Sequence, residues 1–257
     1  SYNNLRNLIS RKCDVDPAKL RFKQYNIEHH VAHTASAYFA SDQDQAAGLT
    51  VDGSGDFVST MMSECKGDSI TPIHKTFVPN SLGSFYTMVC SFIGYDSYGD
   101  EGKVMGLAPL GTDKYHDFVK DMVHITDEGF ALNPEWFAAF GSNQGISIDN
   151  SGKMQIERHY SQKMIDTFGR PRERNSEITQ RDMDLAFSLQ HRFELVYLEL
   201  MNKLYKKLPI DHLALAGGCA LNSVANGMAF EKTPFNKMTI QPASGDDGLA
   251  LGSALYV

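Results

Sequence analysis

Apolar positions along this chain recur with two different periods, and each predicts a different kind of element. Between residues 46 and 77 the apolar runs are short and broken by Gly- and Asp-containing turns. Ala46 to Val51 ends in Asp-Gly-Ser-Gly-Asp (52–56), and the runs Phe57–Cys65 and Ser69–Phe77 flank Lys66-Gly67-Asp68. Strand, turn, strand, turn, strand is a β-meander. Later, Ala186, Leu189, Phe193, Val196, Leu200 and Leu204 recur every three or four positions. That spacing predicts a helix of about five turns with one apolar face.

Other segments fill in around these two. Residues 1–24 are polar and basic and read as a short helix and connector. Residues 28–40 are rich in small residues and free of Gly and Pro, which predicts a helix packed closely on a neighbour. Leu82–Ile93 reads as another helix. His212–Ala216 reads as a short strand running into Gly217-Gly218 and a helix from Ala220. A strand near Met238–Ile240, a Gly/Asp turn at 244–248 and a final helix follow. Strand, Gly-rich turn and helix in repetition is α/β logic. Three segments result: 25–110 with the meander, a loop-rich stretch 111–180 expected to lie over the surface as an insertion, and the α/β stretch 181–257. The insertion carries Trp136 and the basic run Arg170, Pro171, Arg172 and Arg174.

Composition narrows the class. The 257 residues suit one large domain or two small ones, and 42% hydrophobic with 21% charged residues excludes wholesale disorder. A formal net charge of −7 argues against coating nucleic acid or an anionic membrane. Cys13, Cys65, Cys90 and Cys219 form no CxxC pair, which excludes a zinc ribbon or disulfide scaffold and points to a reducing cytoplasm. No apolar run approaches the ~20 residues that span a bilayer. The chain starts Ser1-Tyr2 without Met and stops at Val257 just after a Gly-rich stretch. It is therefore expected to be a piece of something longer.

Five constellations carry chemistry. In His29-His30-Val31-Ala32-His33, a helix puts His29 and His33 one turn apart on one face, where two imidazoles can grip one metal ion. Read alone, it is equally a helix that happens to hold three histidines. A zinc protease would need Glu directly after the first His, and His30 stands there. In Val51-Asp52-Gly53-Ser54-Gly55-Asp56, a strand delivers a carboxylate into a turn whose glycines let backbone N–H groups approach a phosphate. The same dipeptide also makes an ordinary hairpin turn. In Ala216-Gly217-Gly218-Cys219-Ala220-Leu221-Asn222, paired glycines allow a base or sugar to lie against the backbone, or simply turn the chain. Cys219 has no basic neighbour and reads as a packing residue. Asp246 and Asp247 open the last helix, as metal or phosphate ligands or as N-caps. Lys103 stands between Gly102 and Gly106 as an anion contact or a solvated lysine.

The order of these motifs is more specific than any one of them. HHxAH, VDGSGD, GKVMGLAP, DLAFSLQ (Asp184–Gln190), AGGCALN and PASGDDGLALG, running through residues 25–257, together resemble the ATP-dependent carbamoyltransferases of the nodulation-protein and antibiotic-tailoring type. The resemblance implies an α/β fold of actin/Hsp70/sugar-kinase (ribonuclease-H-like) architecture, similar to the tRNA threonylcarbamoyl transferase subunit, here lacking part of the first lobe. It implies that carbamoyl phosphate and ATP form carbamoyl adenylate on a separate carboxy-terminal domain, absent here. The carbamoyl group then passes to a hydroxyl of a small acceptor. By the same resemblance His29, His33 and Asp246 are metal ligands, with iron the usual metal, and Asp247 competes with Asp246. Asp52 lies near metal and nucleotide, as a further metal ligand and a candidate catalytic residue. Gly53, Ser54 and Gly55 form the phosphate turn, and Gly217, Gly218 and Asn222 the adenosine side. Lys103 is a candidate catalytic residue. On that reading the piece alone is inactive. The alternatives are a nucleotide- and metal-binding module without catalysis, or a sugar-kinase-like phosphotransferase, which the HHxAH helix does not support. A nucleic-acid partner and a membrane are not expected.

Overall fold

The structure is a computed structural model that describes residues 5–97, 99–138 and 158–257, with the backbone alone of 146–148 and 154–156. At its centre is a five-stranded mixed sheet in the order β3-β2-β1-β8-β9, from β1 (Gln45–Gly55), β2 (Val58–Lys66), β3 (Ser69–Phe77), β8 (His212–Ala216) and β9 (Lys237–Ile240). β1, β2 and β3 form the expected antiparallel meander, while β8 and β9 run parallel to β1 and to each other. β1 is thus the hinge between an antiparallel and a parallel half. Two minor ribbons pair β4 (Val123–Ile125) with β5 (Phe130–Leu132) and β6 (Ile146–Ile148) with β7 (Met154–Ile156).

Side chains of a strand alternate between its two faces, and β1 uses both. Ala47, Leu49 and Val51 point into the main core with α3 (Leu82–Phe92) and α7 (Gln180–Lys207). Ala46 joins a second cluster with Ala35, Ala37 and Tyr38 of α2 (His29–Tyr38), and Thr50 bonds His30 of the same helix. β8 repeats the division: Leu213 and Leu215 face the main core, Ala214 and Ala216 face α2. The small residues on the α2 side let that helix lie close to the sheet. The carboxy-terminal α9 (Leu249–Tyr256) closes over α2 just as tightly. A Cβ on Gly252 would fall 1.8 Å from the carbonyl oxygen of Ala32.

The stretch expected as a surface insertion instead sends several of its side chains into the core. Val119 and Met122 of α5 (His116–Met122), Phe130, Leu132, Trp136, and Met164 and Phe168 of α6 (Gln162–Phe168) all pack into the cluster of α3 and α7. Trp136 is stacked on Phe168 and donates its indole N–H to Asp121 Oδ2 at 2.8 Å. These apolar side chains come singly or in short pairs, on elements of seven residues or fewer that are too short to show an extended period in the sequence. Residues 139–157 of that expectation lie outside the described side chains, as do residues 1–4 of the expected first helix, which runs Leu5–Cys13 as α1.

The long helix α7 spans 28 residues, longer than its apolar stripe alone indicates. Its amino terminus is fixed by Asp182, which is fully buried and accepts hydrogen bonds from Thr179 N–H (2.9 Å) and Thr179 Oγ1–H (2.7 Å), with Arg181 Nη2 at 2.8 Å. Burial raises the Asp182 pKa, but the Thr179 N–H and the Arg181 guanidinium outweigh it and hold the carboxyl below its ordinary 3.8. A depressed folded pKa contributes stability above pH ~4 that disappears as pH falls through the folded value. Asp182→Asn is therefore expected to cost about 1–3 kcal/mol at pH 6. The gap from the unmodified chain should narrow toward pH 2–3, as measured by urea unfolding at each pH.

Candidate functional site

The site forms where β1, α2 and the start of α9 meet. After Thr50, the next β1 residue on the α2 side is Asp52. Its Oδ2 lies 2.9 Å from His29 Nε2 and 3.5 Å from His33 Nε2. The two imidazole nitrogens are 3.1 Å apart, and Asp246 Oδ1 is 3.7 Å from each. The four ligand atoms lie within 4.8 Å of one another. His33 is fully buried, whereas the Asp246 side chain is 63% exposed, so the cluster opens to solvent on the Asp246 side.

Local structure explains each position. Glu28 caps α2 by accepting from Val31 N–H at 2.8 Å, and Asp56, across the turn that follows β1, accepts His29 N–H at 3.0 Å. These two carboxylates fix the first turn of α2, and with it the His29 ring. His30, between the two site histidines, points the other way. Its Nδ1 pairs with Thr50 Oγ1 at 2.7 Å and its Nε2 with the Val58 carbonyl at 2.9 Å. Burial pushes its pKa down to about 4, so it serves as a neutral strut between α2, β1 and β2.

The glycines of the two turns have distinct tasks. A Cβ on Gly55 would lie 2.0 Å from His29 Cγ, so that residue makes room for the imidazole. Gly53 lies under the amino terminus of α3, where Ser81 Oγ donates to its carbonyl at 2.6 Å, while Ser54 is exposed. Gly217 has φ +92° and ψ 159°, backbone that is essentially restricted to glycine, and a Cβ there would meet the Val51 carbonyl oxygen at 2.3 Å. That close crossing aims the next N–H, of Gly218, at Asp52 Oδ1 at 3.0 Å. Asp52 is therefore held at both ends, with one oxygen on the backbone and the other facing the histidines.

Electrostatics follow from this arrangement. Burial opposes ionisation of Asp52, but hydrogen bonds with His29 and His33 outweigh it and hold its carboxyl far below the usual range. The hydrogen bond to Asp52 raises the His29 pKa despite partial burial. A cation fits this donor set. Tetrahedral ligation at 2.0–2.2 Å places ligand atoms roughly 3.3–3.6 Å apart, and the six separations here include 2.9, 3.1, 3.5, 3.7 and 3.7 Å. Two imidazole nitrogens and two carboxylate oxygens gathered within 4.8 Å form a mixed N/O donor set of the kind divalent transition metals take.

The remaining candidates are distributed as follows. Asp247 is exposed and Asp246, not Asp247, joins the cluster. Asn222 caps α8 (Ser223–Lys232) through Ala225 N–H at 3.0 Å and exchanges amide hydrogen bonds with the buried Gln190 at 2.9 and 3.0 Å. Lys103, on α4 (Glu101–Leu107), is 63% exposed at its side chain and pairs with Asp100 Oδ1 at 2.6 Å, so its ammonium is directed at that neighbour. Cys219 is buried and its thiol is pushed well up by burial, as a packing residue. Sequence reasoning left Asp56, Glu28 and Gln190 without roles. Asp56 closes the VDGSGD motif and Glu28 precedes the helix histidines, but only the hairpin that returns β1 past α2 brings 56 to 29.

The profile described as the carbamoyltransferase N-terminus matches residues 4–255. The chain is 40% identical over 233 residues to the uncharacterized protein sll1178 of Synechocystis sp., covering 90% of this chain and 36% of that protein. It is 31% identical over 256 residues to nodulation protein NolNO of Sinorhizobium fredii, covering 98% of this chain and 34% of that protein. The chain thus spans about a third of the length of these relatives. Among solved structures, full-length HypF in its phosphate- and nucleotide-bound form aligns with a TM-score of 0.44 at 14% identity, over 99% of this chain and 49% of that one. Among the described residues no helix is long and apolar enough to cross a membrane. With the profile running across the helix histidines, the β1 carboxylate and the paired-glycine turn alike, this chain belongs to the carbamoyltransferase family, as its amino-terminal domain.

Proposed function

We propose that this chain is the transfer domain of a longer O-carbamoyltransferase, moving a carbamoyl group from carbamoyl adenylate to the hydroxyl of a small acceptor. The observation that carries this reading is the convergence of His29, His33, Asp52 and Asp246, with Asp52 gripped from behind by Gly218 N–H. The strand order β3-β2-β1-β8-β9, with an antiparallel meander and two parallel additions, supports a ribonuclease-H-like half of an actin/Hsp70-type fold.

His29, His33, Asp52 and Asp246 would hold a divalent metal, iron by family resemblance. When bound, such an ion supplies Lewis acidity toward a carbonyl or a phosphate oxygen. The chain's own groups set the stage for that chemistry. The Gly218 N–H keeps Asp52 oriented, and the hydrogen bonds with His29 and His33 keep it ionised. The buried His33 and the capped His29 are fixed before any ligand arrives, which lowers the ordering cost of binding. Exposed Asp246 marks the side from which substrate enters. Transfer itself attaches the acceptor oxygen to the carbamoyl carbon and expels AMP, with the hydroxyl proton leaving to solvent or base.

The test uses the longer protein, supplied with carbamoyl phosphate, ATP and an acceptor alcohol. His29→Ala with His33→Ala is expected to lower transfer at least ~100-fold while reducing bound metal in parallel. Undiminished transfer by a folded double variant would refute the assignment.

A further inference from the structure

A second convergence of ligand atoms lies away from the site above, on different elements. Asp113 Oδ2 is 3.2 Å from His116 Nδ1 and 3.2 Å from His191 Nδ1, and the three ligand atoms lie within 4.8 Å of one another. His116 opens α5, His191 sits in the middle of α7, and Asp113 is in the loop between α4 and α5. We infer that Asp113, His116 and His191 form a second, three-ligand site for a divalent transition metal of the zinc class.

Three observations support it. First, the separations match the edge of a tetrahedral site. Bonds of 2.0–2.2 Å place adjacent ligand atoms roughly 3.3–3.6 Å apart, close to both carboxylate–imidazole distances of 3.2 Å. Second, the loop is laid against α7 by contacts that do not involve these three side chains. Thr112 N–H and Oγ1–H both donate to Asp184 Oδ1 (2.9 and 3.1 Å), and Tyr115 N–H donates to Ser188 Oγ at 3.2 Å. Residues 184, 188 and 191 follow one face of α7 at helical spacing. The third ligand is thus brought to the other two by the fold, and little further ordering is needed on binding. Third, Lys114, the nearest cation in sequence, lies over the Tyr115 ring at 5.3 Å, leaving Asp113 paired with the imidazoles.

Two imidazoles and one carboxylate favour zinc-like ions over magnesium or calcium, which prefer all-oxygen shells. The three side chains are between 34% and 41% exposed, so the ion would keep solvent or an exchangeable ligand in its remaining position. Bound there, it would tie the 111–116 loop to α7. The alternative is a purely hydrogen-bonded His-Asp-His set, in which Asp113 accepts from both rings.

Equilibrium dialysis against zinc chloride, with elemental analysis, separates the two. A His29→Ala/His33→Ala chain, stripped of the first site, is expected to retain one equivalent of zinc. Adding His116→Ala and His191→Ala should weaken that equivalent at least tenfold. Unchanged affinity overturns the inference. Should a variant fail to fold, long-range 1H–15N spectra of the unmodified chain decide. The Nδ1 resonances of His116 and His191 should move on zinc addition, and fixed resonances at saturating zinc overturn the site. The outcome does not depend on the carbamoyl-transfer reading, since no substrate is present.

Discussion

Asp52→Ala is expected to reduce carbamoyl transfer by the longer protein about 1,000-fold, equivalent to about 4 kcal/mol of barrier. No other residue of the cluster makes contacts of this kind on both sides. Its Oδ2 faces His29 and His33, and its Oδ1 receives the Gly218 N–H. Truncation therefore removes a candidate ligand, leaves two adjacent imidazole nitrogens facing each other at 3.1 Å, and strips the β8–α8 turn of its acceptor. Asp52→Asn separates these effects. The amide oxygen can still accept from Gly218, but the charge is gone. Metal content should fall as in the alanine variant, while thermal stability should stay closer to that of the unmodified chain. Metal content unchanged in both variants would contradict the role given to this carboxylate.

Gly217→Val is expected to destabilise the fold by ~3 kcal/mol or more, one of the largest single-residue effects in the chain. Two costs combine. The backbone conformation at φ +92° and ψ 159° is one that a β-branched residue scarcely adopts. The new Cβ would also be driven into the Val51 carbonyl, which is backbone of the central strand and cannot rotate away. Gly217→Ala should show most of the same loss, because the first carbon already collides. Urea unfolding midpoints measure both. A loss under ~1 kcal/mol for the valine variant would show that β1 and the turn can separate at little cost.

The sequence made some of this visible and hid the rest for physical reasons. The meander, the helix of small residues and the long amphipathic helix all carry strong periodic signals; the first two stand close to their expected bounds, while the long helix runs past both ends of its apolar stripe. His29 and His33 could be paired because a helix fixes the angle between residues four apart. Asp246 could be separated from Asp247 only in three dimensions, since which of two adjacent carboxylates turns inward depends on the entry of α9. The phosphate-turn expectation for Gly53–Gly55 had no way to include the His29 ring that Gly55 accommodates. Lys103 shows the same limit in reverse: its glycine-flanked setting suggested a loop reaching an anion, but the segment is helical and Asp100 lies one turn away. In the 111–180 stretch, core residues come singly or in pairs on short elements, so burial there is set by partners distant in sequence.

The alternation along β1 means that the central strand works as a ruler with two scales. Ala47, Leu49 and Val51 are read by the hydrophobic interior, and Ala46, Thr50 and Asp52 by the helix that carries the histidines. Inserting or deleting one residue between 46 and 52 would shift both scales together, turning the carboxylate toward Leu and Phe side chains and exposing an aliphatic residue to two imidazoles. A chain with that error could not fold well and merely lose its site, nor keep its site in a loose fold. Quality control of the fold and selection for chemistry act here on the same six residues.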